Sequence, residues 1–491
     1  MQYSLVVNHE VRSLIRASAF VWILLLLAAA MAFGAWAGAR HLQRAAQSVQ
    51  AVVNDASAIR EKLRSDLAAY ELRMVKTCGK VEVAVYSHSP RGPIPQGTNA
   101  GSVGLKSPAI ASLPPTGLGA FAVGQSDIQL GYVPVNTDSI YRVLQGSELG
   151  NPVNLKRGAF DIAFVVIFLL PIFILAISYD MLSSEKERGT LAMVLSHPIT
   201  LQKLMMSKVI SRAAIILVVV LALGVAALFS VGLQLGSLET WGRFVFWLTA
   251  TLLYSLFWFV LSVFVNAVSR NSSTNGIILA GSWLAFVVVL PTLISILATS
   301  VYPAPSRFDF ITASRSAQTD AERNYMEALD KYYYDHVEYV PDERVNDFLA
   351  TSKAKSEAVD KAIAPLFEQF RTQLIRQDDM VSRFQFLSPA IMMQRALNDA
   401  SGVSNARYDN FVKQVQAFHA EWVSFFTVRF LDGEPLTSSE YAGFPRFEYQ
   451  EEPFHVVANR IAPSLVGLLL ITVAVAAVGF SALQRYQVAS R

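Results

Sequence analysis

The sequence predicts a mainly α-helical, polytopic membrane protein with six transmembrane helices and a mostly helical extracytoplasmic domain that has a small β part. Composition is the first reason: of 491 residues, 53% are hydrophobic and only 16% are charged, whereas soluble domains carry about 25% charged residues. The second reason is that six runs reach the ~20 mostly apolar residues that a helix needs to cross a bilayer. Long polar segments with helical periodicity separate some of these runs, and they predict the extracytoplasmic domain.

The six predicted spans are 17–38, 158–180, 209–232, 244–267, 276–299 and 460–483. Residues 1–16 mix apolar and charged positions at roughly helical spacing, which predicts a cytoplasmic interfacial segment; a polar lead-in to the first span has the same pattern. The first run could be a signal peptide because AWA resembles a cleavage site, but it is long for such a peptide, so we interpret it as a retained helix. Aromatic residues of the fourth run occur on every face, which favours lipid-facing positions over a binding stripe.

The distribution of positive charge predicts the orientation of these spans. Most Lys and Arg residues near the spans fall on one side, namely Arg12, Arg16, Lys186, Arg188, Lys203, Lys208, Arg212, Arg270, Arg485 and Arg491. Arg40 and Arg44 lie on the other side, but long exterior segments translocate largely regardless of charge. We therefore expect a multi-pass protein of the bacterial cytoplasmic (inner) membrane, with the N-terminus and the tail 484–491 both in the cytoplasm.

Two long insertions, 39–157 and 300–459, then lie outside the cytoplasm. Apolar residues recur every three or four positions from Leu42 to Met74 and predict a long amphipathic helix. Alternating residues after Gly79 and the stretch DIQLGYVPV predict strands, whereas 343–377 and 403–430 are typical of helices. The apolar stripe of the long helix is too extensive to remain in water, so we expect both insertions to pack together as one cap.

Several classes of function are disfavoured by the sequence. The net charge of +3 and the lack of a dense Lys/Arg segment disfavour nucleic-acid binding. The single cysteine, Cys78, excludes an intrachain disulfide and a cysteine-cluster metal site. Asp335, His336 and Glu338 point in different directions on a helix, so we predict no metal site there. Phosphate-loop, zinc-protease and nucleophile-elbow motifs are all missing, and we predict no catalytic site and no cofactor bound by this chain.

The segment 181–208 connects the second and third spans on the predicted cytoplasmic side. Ser184 followed by Glu187 fits a capping box, which predicts the start of a short helix. Leu191 begins an apolar stripe on that helix, and Pro198 ends it. The pattern predicts a short helix along the membrane surface with a charged front, although an ordinary solvated loop would fit the same pattern.

The exact residues of this segment resemble the hallmark of type-2 ABC transporter permeases, the membrane subunits of ABC-2 family exporters. An acidic-basic-acidic cluster precedes Gly-Thr-Leu, Ser-x-Pro and a later Lys. In this sequence they are Glu185, Lys186, Glu187, Gly189, Thr190, Leu191, Ser196, Pro198 and Lys208. The stretches 151–171 and 387–402 resemble the branch with two large extracytoplasmic loops, which is related to gliding-motility and NosY-like permeases.

The resemblance implies a coupling helix at 181–208 that docks into a groove of a cytoplasmic ABC ATPase dimer, with ATP and Mg bound to that partner. Glu185, Glu187 and Arg188 would form the contact. The resemblance also implies a second permease, either an identical chain or a paralogue. Membrane lipid surrounds such a core, and a periplasmic protein is a further partner that this branch allows.

The leading functional hypothesis is therefore the permease subunit of an ATP-driven ABC exporter. The alternative is a non-transporting ABC mechanical relay whose extracytoplasmic domain acts on a periplasmic partner or a lipoprotein; an intramembrane enzyme is disfavoured by the missing motifs. Pro171 and Pro291 interrupt two spans and are candidate hinges, although we favour static kinks. Asp161 lies near the outer end of the second span, where a solvated carboxylate is favoured over a vestibule-lining one.

Overall fold

The computed structural model describes residues 2–78, 94–124, 126, 129, 131–146, 160–196, 199–230, 237–269, 271–305, 307–335, 348–431 and 435–486. Within these ranges, six helical stretches are long and apolar enough to cross a membrane, namely Ser18–Met74, Ile162–Glu187, Leu201–Phe229, Leu238–Val268, Ser272–Val301 and Phe454–Gln484. We call the apolar part of each stretch a span and number the spans 1 to 6 in chain order. The predicted fold class, a mainly α-helical polytopic membrane protein, is confirmed.

The chain begins with an amphipathic helix and then one very long helix. Helix α1 (Gln2–Arg16) ends beside Ala17, and α2 (Ser18–Cys78) follows with 61 residues, a length of about 90 Å. Thus α2 carries span 1 and continues into the first insertion without a break. Its contact with other backbone is close at Gly38, where an added Cβ would lie 2.0 Å from the carbonyl oxygen of Ala120.

The remaining elements of the first insertion are short. They are α3 (Ala100–Lys106), β1 (Ala109–Ser112), β2 (Tyr132–Val135) and α4 (Ile140–Gly146). The strands pair antiparallel, with Ala109 opposite Val135 and Ser112 opposite Tyr132. A strand is therefore confirmed inside the stretch DIQLGYVPV, whereas the strand predicted after Gly79 and the segment 151–159 lie outside the described residues.

Spans 2 to 5 and the connection after span 2 follow in order. Span 2 comprises α5 (Ile162–Phe164), a π-helical turn (Val165–Leu169) and α6 (Leu170–Ser178), and the short helices α7 (Ser183–Glu187) and α8 (Thr190–Leu195) come next. Spans 3 and 4 are α9 (Leu201–Ser230) and α10 (Leu238–Val268). Span 5 comprises α11 (Ser272–Trp283), a second π-helical turn (Leu284–Val289) and α12 (Leu290–Val301).

The second insertion and span 6 complete the chain. The insertion contains α13 (Arg307–Arg323), α14 (Tyr325–Asp335), α15 (Phe348–Phe384), α16 (Pro389–Ser401) and α17 (Asn405–Leu431), and span 6 is α18 (Phe454–Gln484). A 3₁₀ turn, Gln385–Leu387, joins α15 to α16.

Both insertions share one apolar core, which we call the cap core. It combines Leu67 of α2, Val133 of β2, and the fully buried Phe411 and Trp422 of α17. The indole nitrogen of Trp422 donates to the carbonyl oxygen of Gly104 at 3.1 Å. The expected packing of the two insertions as one cap is therefore what the structure shows.

Part of the second insertion packs inside the bundle of spans. The end of α15, the 3₁₀ turn and α16 form a helical hairpin whose tip, Ser388, donates to the carbonyl oxygen of Phe286 in the middle of span 5 at 2.6 Å. Gln377, eleven residues earlier, bonds the carbonyl oxygen of Tyr302 at the end of span 5. Phe286 and Tyr302 are 16 residues apart, so the tip contacts span 5 roughly 24 Å from that end. A Cβ on Gly467 of span 6 would lie 2.5 Å from Met392 Sδ, so span 6 contacts the hairpin closely.

Spans 2 and 4 lie at the centre of the bundle. In span 4, Trp247, Tyr254, Phe257, Trp258 and Phe259 are almost completely buried. The prediction that these rings face lipid is wrong. They are buried because span 4 is surrounded by spans 2, 3 and 6 and by the hairpin, a position that periodicity within one helix does not reveal.

Candidate coupling site

The segment between spans 2 and 3 forms two short helices joined at a glycine. Gly189, between α7 and α8, adopts φ +70°, a left-handed conformation that only glycine adopts readily. The turn places Leu191 in the core, whereas Met193 two residues later is 69% exposed. We call residues 181–196 the insert. Pro198, predicted to end its helix, lies outside the described residues.

The predicted capping box at the start of α7 is wrong. Ser184 Oγ donates to the carbonyl oxygen of Asp180 at 2.8 Å instead of accepting from a helix amide. The carboxylate of Glu187 accepts from Ser272, from its backbone N–H at 2.7 Å and its hydroxyl at 3.0 Å. Ser272 is the first residue of α11, whose free N–H groups favour a negative charge. Glu187 therefore caps span 5 rather than its own helix.

Glu185 is directed into the protein, where it forms an ion pair. Its Oε1 lies 2.6 Å from Lys208 Nζ of span 3, and the two side chains are 24% and 6% exposed. Lys208 Nζ also donates to the carbonyl oxygen of Met181 at 2.8 Å. The expectation that Glu185 lies on an exposed front is wrong, because a nearly buried ammonium requires a carboxylate partner.

The end of span 2 is held by side chains of other elements. A helix leaves its last four carbonyl groups without partners inside the helix, and here each carbonyl from residue 177 to residue 181 accepts a side-chain hydrogen bond. The pairs are Ile177 with Arg212, Ser178 with Asn266, Tyr179 with Asn275, Asp180 with Ser184, and Met181 with Lys208. Four of the five donors come from spans 3, 4 and 5.

Asn266 of span 4 and Asn275 of span 5 are the centre of this network. Both are fully buried, and the amide of Asn275 donates to Asn266 Oδ1 at 3.1 Å. The same oxygen accepts from the backbone N–H of Leu182 at 3.2 Å. Sequence reasoning missed both residues. The signal was available, because a polar side chain in a membrane segment is costly and marks a structural or functional role.

Further contacts connect the insert to the two ends of the chain. Arg212 of span 3 lies 3.2 Å from Glu10 of α1, while its other nitrogen donates to the end of span 2. Lys186 Nζ lies 4.9 Å from the centre of the Tyr486 ring, just after span 6. The insert and the residues before it therefore contact spans 3, 4, 5 and the end of span 6, and Arg212 connects them to α1.

The face of the insert that remains open to a partner is small, and its charged residues are Arg188 and Glu187, whose carboxylate bonds Ser272. Its exposed residues are Glu187, Arg188, Gly189, Thr190, Ala192, Met193 and Ser196. Of the three residues expected to contact an ATPase, Arg188 is exposed, Glu187 is exposed but bonded to Ser272, and Glu185 is directed inward.

Both candidate hinge prolines follow a π-helical turn. Pro171 follows Val165–Leu169, and Pro291 follows Leu284–Val289. Proline lacks the N–H that would bond the preceding turn, and the freed carbonyl of Ile167 accepts from Tyr254 Oη of span 4 at 2.9 Å. In span 5 the comparable acceptor is Phe286, which bonds the hairpin. Both irregular turns are therefore fixed by donors from neighbouring elements.

Asp161 is a buried helix cap. Its carboxylate accepts from the backbone N–H of Phe164 at 2.6 Å and from that of Val123 at 2.7 Å, and only 4% of the residue is exposed. The interpretation of Asp161 as a solvated carboxylate is wrong, because the loop containing Val123 covers it. Asp161 joins the start of span 2 to the first insertion.

Comparison with known proteins agrees with this architecture. The model of the family described as ABC-2 family transporter protein matches residues 5–486. The chain is also similar to the probable ABC transporter permease protein NosY of Stutzerimonas stutzeri, with 32% identity over 136 residues. That match covers 26% of this chain and 48% of the relative, so the chain spans about half the length of the curated relative it matches.

Proposed function

The chain belongs to the ABC-2 family of transporter proteins, and on that premise we propose that it is the permease subunit of an ATP-driven exporter, coupled through its insert to a separate cytoplasmic ATPase. One observation carries the proposal: side chains from spans 3, 4 and 5 bond four of the five carbonyl groups from Ile177 to Met181. Buried polar groups are costly when unpaired. A force on the insert is therefore transmitted to several spans together, instead of bending one loop.

The proposed energy source is outside this chain. The sequence has no phosphate-loop motif, so ATP and Mg would bind to an ABC ATPase dimer below the insert. A second permease, identical or paralogous, would complete the core. In this arrangement the insert and both termini face the cytoplasm of a bacterium, and the cap lies outside the inner membrane.

Orientation is tested by cysteine labelling in a Cys78→Ser background. Ser65 in the cap part of α2 and Ala192 in the insert are both exposed. A membrane-impermeant maleimide added to spheroplasts should label Ser65→Cys and should leave Ala192→Cys unlabelled until the membrane is opened. The reverse pattern would contradict the proposed orientation.

The contact with the ATPase is tested at the exposed face of the insert. Arg188→Glu reverses the charge of a residue whose side chain makes no described contact, and Met193→Glu places a charge on the exposed apolar position. Each change should reduce ATPase co-purification and permease-stimulated ATP hydrolysis by about tenfold, a loss typical of interface hot spots. Lys62→Glu, a charge reversal at an exposed position in the cap part of α2, is the matched control. Unchanged assembly and stimulation in both insert variants would rule out this contact.

The relay hypothesis is favoured by a different observation, the unbroken helix α2. Because span 1 and the cap share these 61 residues, a tilt of span 1 displaces the cap without any substrate crossing the membrane. Reconstitution with the ATPase separates the two functions. ATP-dependent movement of a substrate into or out of vesicles supports export, whereas an ATP-dependent change in cap position without substrate movement supports the relay.

A further inference from the structure

A cavity lies where α2 leaves the membrane part of the protein, and part of the apolar stripe of α2 forms one of its walls. Leu42, Ala45, Ala46 and Val49 follow one another at helical spacing along this wall, and the cavity has a volume of about 330 Å³. Further along the helix, Leu67 is fully buried in the cap core. The cap thus covers the upper part of the stripe and leaves its lower part open to the cavity.

The opposite wall is formed by the segment after β1 and by the loop that joins α16 to α17. Thr116 Oγ1 donates to the carbonyl oxygen of Ser401 at 2.6 Å. Arg407 donates to the carbonyl oxygens of Gly402 at 3.2 Å and Pro114 at 2.7 Å. These bonds join the two parts of the wall to each other, and a contact of 3.4 Å between Ser126 Oγ and His41 Nε2 connects the neighbouring loop to α2. The cavity is therefore preformed, as is usual for small-molecule sites.

The chemistry of the cavity favours an uncharged and mainly apolar ligand. Arg407 is neutralised by Glu451, which it contacts at 2.7 Å, so this guanidinium does not require an anionic ligand. Ser401 is fully buried, and its hydroxyl has no hydrogen-bond partner within the described part of the chain. That oxygen is closed to solvent, so a ligand in the cavity would contact mainly apolar surface.

The position of the cavity relates it to the membrane surface. Arg40 stacks on the ring of Trp36 at 4.8 Å, an arrangement typical of the aromatic belt at a membrane interface. The wall begins at Leu42, half a turn beyond Arg40, and runs to Val49, a distance of about 10 Å along the helix. A ligand in the cavity is therefore within reach of the membrane surface.

We propose that this cavity binds a single acyl chain, which packs along the apolar wall from Leu42 to Val49. A straight wall containing two alanines and a volume of about 330 Å³ suit a flexible chain. The chain can come from a membrane phospholipid or from a lipidated polypeptide, because both present the same chemistry. This inference does not depend on coupling to an ATPase.

The test uses photolabelling of the full-length protein in vesicles of phosphatidylethanolamine and phosphatidylglycerol. One sample contains phosphatidylethanolamine with a diazirine in its acyl chain, and the other contains a diacylated lipopeptide that carries the same chain. After irradiation and digestion, both 41–50 and 401–408 should carry label. Ala46→Trp fills the cavity and should reduce labelling of both peptides at least fivefold. Ala51→Trp makes the same change at an exposed position outside the cavity and should leave labelling unchanged.

Two more variants complete the design. Val49→Phe adds less side-chain volume to the cavity than Ala46→Trp, and it replaces Ala46→Trp if that variant does not fold. Ser401→Ala should leave the probe concentration for half-maximal labelling unchanged, because the Ser401 hydroxyl is closed to a ligand in the cavity. Preferential labelling by the phospholipid identifies lipid as the source, and preferential labelling by the lipopeptide identifies a lipidated polypeptide. Absence of label in both peptides, or equal labelling of the Ala46 and Ala51 variants, would overturn the proposal.

Discussion

The ion pair between Lys208 and Glu185 gives the sharpest test of how the insert is held. Lys208→Met keeps the apolar stem of the side chain but removes two hydrogen bonds, one to Glu185 Oε1 at 2.6 Å and one to the carbonyl oxygen of Met181 at 2.8 Å. The change leaves a carboxylate and a carbonyl without their donor. Removing one partner of a buried ion pair costs about 3–5 kcal/mol. Because Glu185 is 24% exposed, we expect the lower limit, about 3 kcal/mol.

Hydrogen exchange of the insert amides measures this loss of local stability. Amides in and just after α7, such as those of Lys186 and Arg188, bond carbonyl groups within the insert and exchange when the insert opens locally. A loss of about 3 kcal/mol corresponds to roughly 100-fold faster exchange, which we expect for a peptide covering 181–190 in detergent micelles. Peptides of the cap core should be unchanged, because Lys208 makes no contact there.

Two variants make this prediction refutable. Lys203→Met removes an exposed lysine five residues earlier in the same helix and should change exchange less than twofold, as is typical of surface substitutions. Adding Glu185→Gln to Lys208→Met removes the stranded charge, and exchange should slow by about tenfold relative to the single variant. If Lys208→Met behaves like Lys203→Met, or if the double variant recovers nothing, the ion pair does not hold the insert.

Three further predictions concern other parts of the molecule. Tyr254→Phe leaves a buried carbonyl unpaired and should destabilise the protein by about 1–3 kcal/mol, measured by thermal unfolding in detergent, with Tyr302→Phe as the control. Gly38→Ala places a Cβ 2.0 Å from a carbonyl oxygen and should cost about 1–3 kcal/mol, whereas Gly281→Ala, with no atom within 4 Å, should be neutral or slightly stabilising. Burial lowers the pKa of His419, so the cap should lose stability as the pH falls below about 6.5, and His419→Gln should flatten this slope.

Each of these three predictions has a result that would contradict it. Equal unfolding temperatures for the two tyrosine variants would show that Tyr254 does not stabilise the kink in span 2. Equal effects of the two glycine variants would show that α2 does not approach the loop as closely as described. An unchanged slope between pH 7 and pH 5.5 in His419→Gln would assign the acid sensitivity of the cap to carboxylates instead.

Much of the architecture could be predicted because it rests on local signals. Apolar runs of about 20 residues identify membrane helices wherever they occur, and the three-and-four spacing from Leu42 to Met74 identifies an amphipathic helix. Family membership was predictable from the exact residues 185–191, and the family match confirms it. The shared cap followed from one requirement, that a long apolar stripe must be covered.

The roles of individual polar residues could not be predicted in the same way. Ser184 and Glu187 satisfy the local rule for a capping box, but Glu187 bonds Ser272, 85 residues later. A tertiary partner replaces the local one, because the start of span 5 offers free N–H groups beside it. Asn266 and Asn275 lie in different spans, and nothing in their local sequence shows that both reach the end of span 2.

The placement of rigid and irregular parts in span 2 indicates how it would move. Its end is fixed by the network around Asn266 and Asn275, and its start is fixed by Asp161, which bonds the loop of Val123. Between them lies the π-helical turn before Pro171, where the helical hydrogen bonds are irregular. A force on the insert cannot easily separate the network, because each lost bond leaves a buried polar group unpaired. Bending at the turn before Pro171 would break two side-chain bonds, those of Tyr254 and Trp283, whereas separating the network would break five. We therefore expect bending to concentrate at this turn.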